Sequence, residues 1–177
     1  MPNKNKRIVV LLLSILITIP LYILLHELGH TIVILSAGGE ITEFSIVTAH
    51  VSSTGGSYTD LSDLWLHANG ALLPVIVSYT YMLLYKIRTQ NMFYTAFSFM
   101  FSLMPISSLC AWVFIPFLYI SGNAPEGDDV TLFLYNFSHS FSPLAVSVIA
   151  VMIIAPAVII MIKKKIIGSF ITMMREQ

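Results

Sequence analysis

The feature that most constrains this chain is an H-E-L-G-H segment at residues 26–30, which lies inside an apolar run over residues 8–37. A run of this length is typical of a transmembrane helix, where ionisable side chains are costly and usually functional. Residues i and i+4 share one face of a helix, so the imidazoles of His26 and His30 can bind one metal ion. Glu27 can then accept a proton from a water at that metal. The alternative is a polar contact between helices.

The composition indicates an integral membrane protein. Of the 177 residues, 56% are apolar and 10% are charged, whereas a soluble domain carries roughly 25% charged residues. We expect a single membrane domain over residues 1–177. The zero net charge gives no reason to expect nucleic acid as a partner. The basic N-terminus followed by an apolar run is similar to a signal peptide, but the run is too long and carries the histidines, so a retained first span is expected.

Four apolar runs are long enough to cross a bilayer, which takes roughly 20 residues. They lie at about 8–37, 64–85, 92–121 and 142–162. The basic residues fall at the N-terminus, around residues 86–88 and after residue 162, and seven of the nine acidic residues fall in the other two loops. Because basic loops stay cytoplasmic, we expect an all-α membrane protein with about four transmembrane helices and both termini in the cytoplasm.

The segment at residues 40–63 differs from the apolar runs because it mixes β-formers with Thr and Ser and contains a Gly55-Gly56 turn signal. It predicts a small β-hairpin between the first two helices, at the outer membrane surface. The edge of such a hairpin, over residues 41–51, can hold an extended peptide by strand addition, with Phe44 and Ile46 as candidate substrate contacts. A plain connecting hairpin is the alternative.

A catalytic zinc usually has three protein ligands and a water, so two histidines leave one ligand to be found. The segment at residues 123–129 is the most suggestive because it places adjacent carboxylates after a Pro/Gly turn. If residue 8 lies at the inner surface, His26 stands about 27 Å along the helix, in the outer half of a core roughly 30 Å thick. The acidic segment is expected on that same side. The candidates for the third ligand are His50, His67, His139, Glu126, Asp128 and Asp129.

These residues resemble the site-2 protease family of intramembrane zinc metalloproteases. The likeness rests on the H-E-L-G-H segment, on residues 39–46 (G-E-I-T-E-F-S-I), and on a downstream Asp near a later span. It implies Zn²⁺ held by His26, His30 and either Asp128 or Asp129, with Asp128 preferred.

The same likeness implies a reaction and a substrate class. Glu27 is the implied general base, and the substrate is a membrane-protein helix or a membrane-associated peptide cut within or near the bilayer. The family's second-span pattern is matched loosely by N-G-A-L-L-P at residues 69–74. Asn69 is therefore a candidate for binding the substrate backbone, with helix packing as its alternative role.

Two other functions fit a metal in a membrane. A non-proteolytic protein with a structural or binding metal site would close that site with a fourth protein ligand, for which His50, His67 and His139 are candidates. A divalent-metal transporter would need polar residues on several spans, and the second to fourth spans contain almost none.

Overall fold

The computed structural model describes residues 4–87, 91–137 and 141–175, and that part of the chain is mostly helical with one small hairpin. Its elements are α1 (Lys4–Ser36), β1 (Gly39–Ser45), β2 (His50–Gly55), α2 (Asp60–Leu84), α3 (Met92–Ile120), α4 (Asp129–Phe137), α5 (Pro143–Lys163) and α6 (Ile166–Arg175). The predicted hairpin between the first two helices is confirmed.

Three of the helices within the described ranges, α1, α3 and α5, are long and apolar enough to cross a membrane. The second predicted span coincides with α2, which has 25 residues. Its first three turns, however, carry Asp60, Asp63, His67 and Asn69, and these lower its hydropathy relative to the other three. These three apolar helices indicate a membrane protein. The predicted count of four spans is not confirmed.

The hairpin pairs β1 with β2 in antiparallel register, from Gly39 opposite Gly55 to Ser45 opposite His50, with an irregularity between residues 41 and 43. Residues 46–49 make the turn between its strands. Gly55 and Gly56 instead lead the chain out of β2 toward α2, and both have positive φ angles (69° and 86°) that favour glycine. The backbone N–H of Ser57 donates to the carbonyl of Ala37 at 2.8 Å, which closes the base of the hairpin on the end of α1.

The packing of the helices places the start of α4 beside α1, the helix that carries the histidine motif. The first helix packs on α2 and α3, while α4 rests on α2 and α3 as well. The short α4 is held by its apolar face, since Val130 is 1% exposed and Leu134 is fully buried. These side chains share a cluster with Ala68 of α2 and Ile115 of α3. The N-terminal end of α4 is thereby fixed close to α1.

Candidate metal centre

Three side chains from two helices converge on one point. The Nε2 atoms of His26 and His30 are 3.2 Å apart. The Oδ2 atom of Asp129 lies 3.2 Å from His26 Nε2 and 3.3 Å from His30 Nε2. Among the described residues, these three form the group of His, Cys, Asp and Glu side chains that is close enough to hold one ion.

The triangle has the size that a tetrahedral zinc site requires. Ligand atoms at about 2.0–2.1 Å from a tetrahedral ion stand about 3.3–3.4 Å from each other, and the three observed separations are 3.2, 3.2 and 3.3 Å. Two imidazole nitrogens and a carboxylate oxygen are also a donor set that zinc accepts. The geometry and the chemistry of these side chains therefore fit a zinc ion.

The hydrogen bonding of His30 points to a cation at this position. Its Nδ1 atom lies 2.8 Å from the carbonyl oxygen of Leu66 in α2, so Nδ1 must carry the proton. In the neutral ring the Nε2 atom then presents a lone pair toward the Asp129 carboxylate, which is also an acceptor. Two such acceptors repel each other unless a metal ion or a further proton lies between them. A carbonyl that orients a ligand imidazole in this way is the usual support of a metal site.

Asp129 occupies this site, and Asp128 does not, because of where α4 begins. Asp128 precedes the helix and caps it: its Oδ1 atom accepts the backbone N–H of Val130 at 2.9 Å, as an N-cap side chain does. Asp129 is the first helical residue and points to the histidines. The geometry therefore favours Asp129 as the third ligand over the preferred Asp128.

The two adjacent carboxyl groups also differ in their electrostatics. Burial raises the pKa of Asp129, but the imidazoles of His26 and His30 beside it outweigh burial and hold that pKa below its ordinary value. Burial raises the pKa of Asp128, and the hydrogen bond from Val130 only partly offsets it. Asp129 is thus kept as the carboxylate, which is the form that binds metals.

Two glycines, Gly29 of α1 and Gly70 of α2, allow α2 to pack directly against the site. A Cβ atom on Gly70 would stand 2.4 Å from His30 Nε2 and 2.9 Å from His26 Cε1. A Cβ on Gly29 would stand 2.2 Å from the carbonyl oxygen of Asn69. Because neither glycine has a side chain, the backbone of α2 lies directly against the ligand imidazoles.

Asn69 joins this contact through its side chain. Its Nδ2 atom donates to the carbonyl oxygen of Gly29 at 2.8 Å, which is a bond between α1 and α2. The helix-packing alternative for Asn69 is therefore realised in the structure. A contact of the same side chain with a substrate stays a prediction.

Glu27 and Tyr22 complete the part of the site that α1 contributes. Glu27 follows His26 directly on α1 and is 3% exposed. Tyr22 lies one turn before His26, with its ring centroid 6.0 Å from that of the imidazole. The site is open on one side, since the side chains of His26 and Asp129 are 25% and 24% exposed whereas that of His30 is 11% exposed.

The other candidate ligands lie apart from this group. His50 stands on the hairpin beside Glu43, with Nε2 3.4 Å from Oε2. His67 faces Asp63 and Asn136, Glu126 is exposed in the turn before α4, and His139 lies outside the described residues. The predicted substrate contacts Phe44 and Ile46 are 37% and 36% exposed on the hairpin.

Sequence reasoning missed the Leu66 carbonyl, Gly70 and Tyr22. The Leu66 carbonyl is a backbone group, so the residue type at position 66 does not indicate its role. Gly70 had a weak signal, because a glycine inside an apolar helix usually has a packing reason.

No protein-family model, curated protein or solved structure matches the chain. The likeness to site-2 proteases is thus carried by the chain's own residues at 26–30 and 39–46. The resemblance therefore stays a prediction about this chain.

Proposed function

We propose that this protein is an intramembrane zinc metalloendopeptidase of the site-2 protease type, which cleaves a membrane-protein helix or a membrane-associated peptide within or near the bilayer. The observation that carries the proposal is the triangle of His26 Nε2, His30 Nε2 and Asp129 Oδ2, with sides of 3.2–3.3 Å. Glu27 follows the first ligand directly on the same helix, as the general base does in H-E-x-x-H hydrolases.

The number of ligands supports a catalytic site over a structural one. Structural zinc sites are closed by four protein ligands, whereas catalytic sites have three and an open position. The converging group contains three side chains within the described ranges. Its partial exposure at His26 and Asp129 leaves a side from which water and a peptide can approach.

Each residue has a definite task in peptide hydrolysis. His26, His30 and Asp129 would hold the zinc ion, which would supply Lewis acidity toward a carbonyl and a water molecule. Glu27 accepts the proton of the attacking water and delivers it to the departing amine nitrogen. The Leu66 carbonyl holds the His30 ring in the tautomer that presents Nε2. Asn69 and Gly70 keep α2 against the ligand rings, so the imidazoles do not turn away during the reaction.

The hairpin offers a place for an extended substrate. A peptide in a helix has its carbonyls hydrogen-bonded, so the scissile segment must unwind before water can attack. An edge of the two-stranded sheet can hold such a segment by strand addition, and Phe44 and Ile46 are exposed there. We therefore place the substrate along residues 41–51, leading toward the open side of the site.

We also propose a four-span topology in a cell membrane, in which α2 crosses the bilayer as well as α1, α3 and α5. Both termini are then cytoplasmic, and the site lies toward the extracytoplasmic side. The basic residues gather at one end of the helices: Arg7 donates to the carbonyl of Met174 at 3.4 Å, and Lys164 donates to that of Leu83 at 2.6 Å. The hairpin and Asp129 belong to the other end. This separation supports the orientation given by the positive-inside rule.

The test uses purified zinc-loaded protein in detergent, with fluorescein-labelled casein and a set of labelled single-span peptides as probes. Wild-type protein is expected to cleave at least one probe, and Glu27→Gln to abolish cleavage while it retains one zinc per chain. Glu40→Gln, which alters an exposed acid on β1, is the matched control and should cleave normally. Undiminished cleavage by Glu27→Gln, or a zinc-loaded wild type that cleaves none of the probes, would contradict the proposal.

A further inference from the structure

A cavity lies at the opposite end of the molecule from the metal centre. It has a volume of about 560 Å³ and is formed where α6 folds back across the ends of α3 and α5. Its walls are apolar, with Ile87, Ile167 and Met173 among them. Its polar lining residues are Thr95, Lys165, Ser169 and Thr172. The cavity therefore combines a long apolar surface with one cation and hydroxyl donors.

The charge around this cavity has one sign. The described basic residues occupy the start of α1, the end of α2, the turn between α5 and α6, and the end of α6: Lys4, Lys6, Arg7, Lys86, Lys163, Lys164, Lys165 and Arg175. The described acidic residues lie in the middle of α1, on the hairpin and at the starts of α2 and α4. This end of the described chain is thus complementary to an anion.

The backbone at Lys165 shows that this lysine occupies a position that suits glycine. It follows the C-cap residue of α5 with φ of +58°, in the left-handed region. Helices very commonly end with such a residue, and it is usually glycine because a Cβ is strained there. A side chain retained in a strained conformation points to a function for that side chain. Lys165 is also one of the residues that line the cavity, so binding an anion there is a function that its side chain can have.

We propose that this cavity binds an anionic phospholipid, with its phosphate at Lys165 and the hydroxyls of Ser169 and Thr172 and an acyl chain along the apolar wall. The amphipathic α6, with basic residues at both ends, fits a helix that lies in the membrane interface. Basic pockets between membrane helices are known places for anionic headgroups. The site is separate from the zinc chemistry and does not depend on it.

Two variants separate the lipid site from the fold. Lys165→Gly removes the ammonium and the backbone strain together, so it should keep or raise the thermal stability in phosphatidylcholine. Gly168→Leu fills the cavity without touching a charge, because a Cβ at Gly168 meets no atom within 4 Å. Lys6→Gln is the matched control, since this exposed lysine stands at the same end and does not line the cavity.

The experiment measures the melting temperature and the lipid affinity in nanodiscs of phosphatidylcholine alone and of phosphatidylcholine mixed with phosphatidylglycerol. Phosphatidylglycerol should raise the melting temperature of wild type and of Lys6→Gln. Lys165→Gly should bind it about fivefold more weakly, the factor expected for one lysine near an anionic surface, and Gly168→Leu should lose the shift.

Three results would overturn the proposal. The first is an equal shift in all four proteins, which would mean that the lipid acts on the surface in general. The second is the same shift with inorganic phosphate in phosphatidylcholine discs, which would indicate an anion site without a lipid. The third is the absence of any shift in the wild type.

Discussion

Gly70 of α2 lies so close to His30 of α1 that a methyl group in place of its hydrogen would stand 2.4 Å from the imidazole Nε2. This is the atom that the proposed zinc ion would bind. The separation is shorter than any ordinary contact between a carbon and a nitrogen, so the ring and the α2 backbone are in direct contact. The contact between α1 and α2 therefore determines where the ligand nitrogen can be.

Gly70→Ala should lower zinc affinity about 10-fold or more, because the added methyl group forces the His30 ring or α2 away and disturbs the ligand geometry. Zinc content after dialysis against a competing chelator measures this effect. Gly168→Ala is the matched control, since its new Cβ meets open space, and it should bind zinc normally. Equal zinc retention in both variants would show that the imidazole is not confined by α2.

Asp129→Ala should lose zinc, whereas Asp128→Ala should retain it. The Asp129 carboxylate stands 3.2 and 3.3 Å from the two ligand nitrogens, and its removal should cost more than the roughly 10–100-fold that loss of a supporting residue costs. Asp128→Ala removes only the α4 cap, at about 1 kcal/mol of stability. Metal analysis of both purified variants makes the comparison, and zinc loss in Asp128→Ala alone would reverse the assignment.

Asn136→Ala should weaken zinc binding without removing a ligand. Its Nδ2 atom donates to Asp63 Oδ2 at 2.8 Å, which ties the far end of α4 to α2. Because α4 has only nine residues, loosening it there should displace Asp129 at its other end. We expect zinc affinity to fall by up to about 10-fold, which is the smallest effect usual for removing a residue that supports a ligand. Zinc competition with a chelator measures this change.

The control for Asn136 is Asn123→Ala, because the side chain of Asn123 bonds to nearby Ser121 in an exposed turn. That variant should bind zinc as the wild type does. If Asn136→Ala also binds zinc normally, the apolar face of α4 alone fixes the position of Asp129.

The topology proposal predicts that residues 57 and 86 lie on opposite sides of the membrane, since α2 connects them. Single cysteines placed at Ser57 and at Lys86, in a background with Cys110→Ser, can be labelled with an impermeant thiol reagent in intact cells. Ser57→Cys should react from outside, and Lys86→Cys only after permeabilisation. Labelling of both from the same side would show that α2 does not cross the bilayer.

The sequence allowed the elements to be predicted where a strong local pattern exists. The apolar runs predicted α1, α3 and α5 to within a few residues, and the β-forming residues between 40 and 63 predicted the hairpin. The spacing of His26 and His30 was sufficient to predict their shared face, because it follows from the helix period alone.

The rest of the site depends on distant packing that the sequence does not display. Asp128 and Asp129 are chemically equal neighbours, and the residue at which α4 begins decides which one faces the histidines. That start depends on how Val130 and Leu134 pack against α2 and α3. The Leu66 carbonyl and Gly70 likewise acquire their roles only when α2 meets α1.

The most direct test of the central claim is zinc K-edge X-ray absorption of the purified wild-type protein. We predict one zinc per chain with four nitrogen or oxygen ligands at about 2.0–2.2 Å, two of which are imidazoles that their multiple scattering identifies. That result would match a zinc ion at the triangle formed by His26, His30 and Asp129. A zinc bound by three or more imidazoles, or a protein that retains no zinc, would contradict the proposed site.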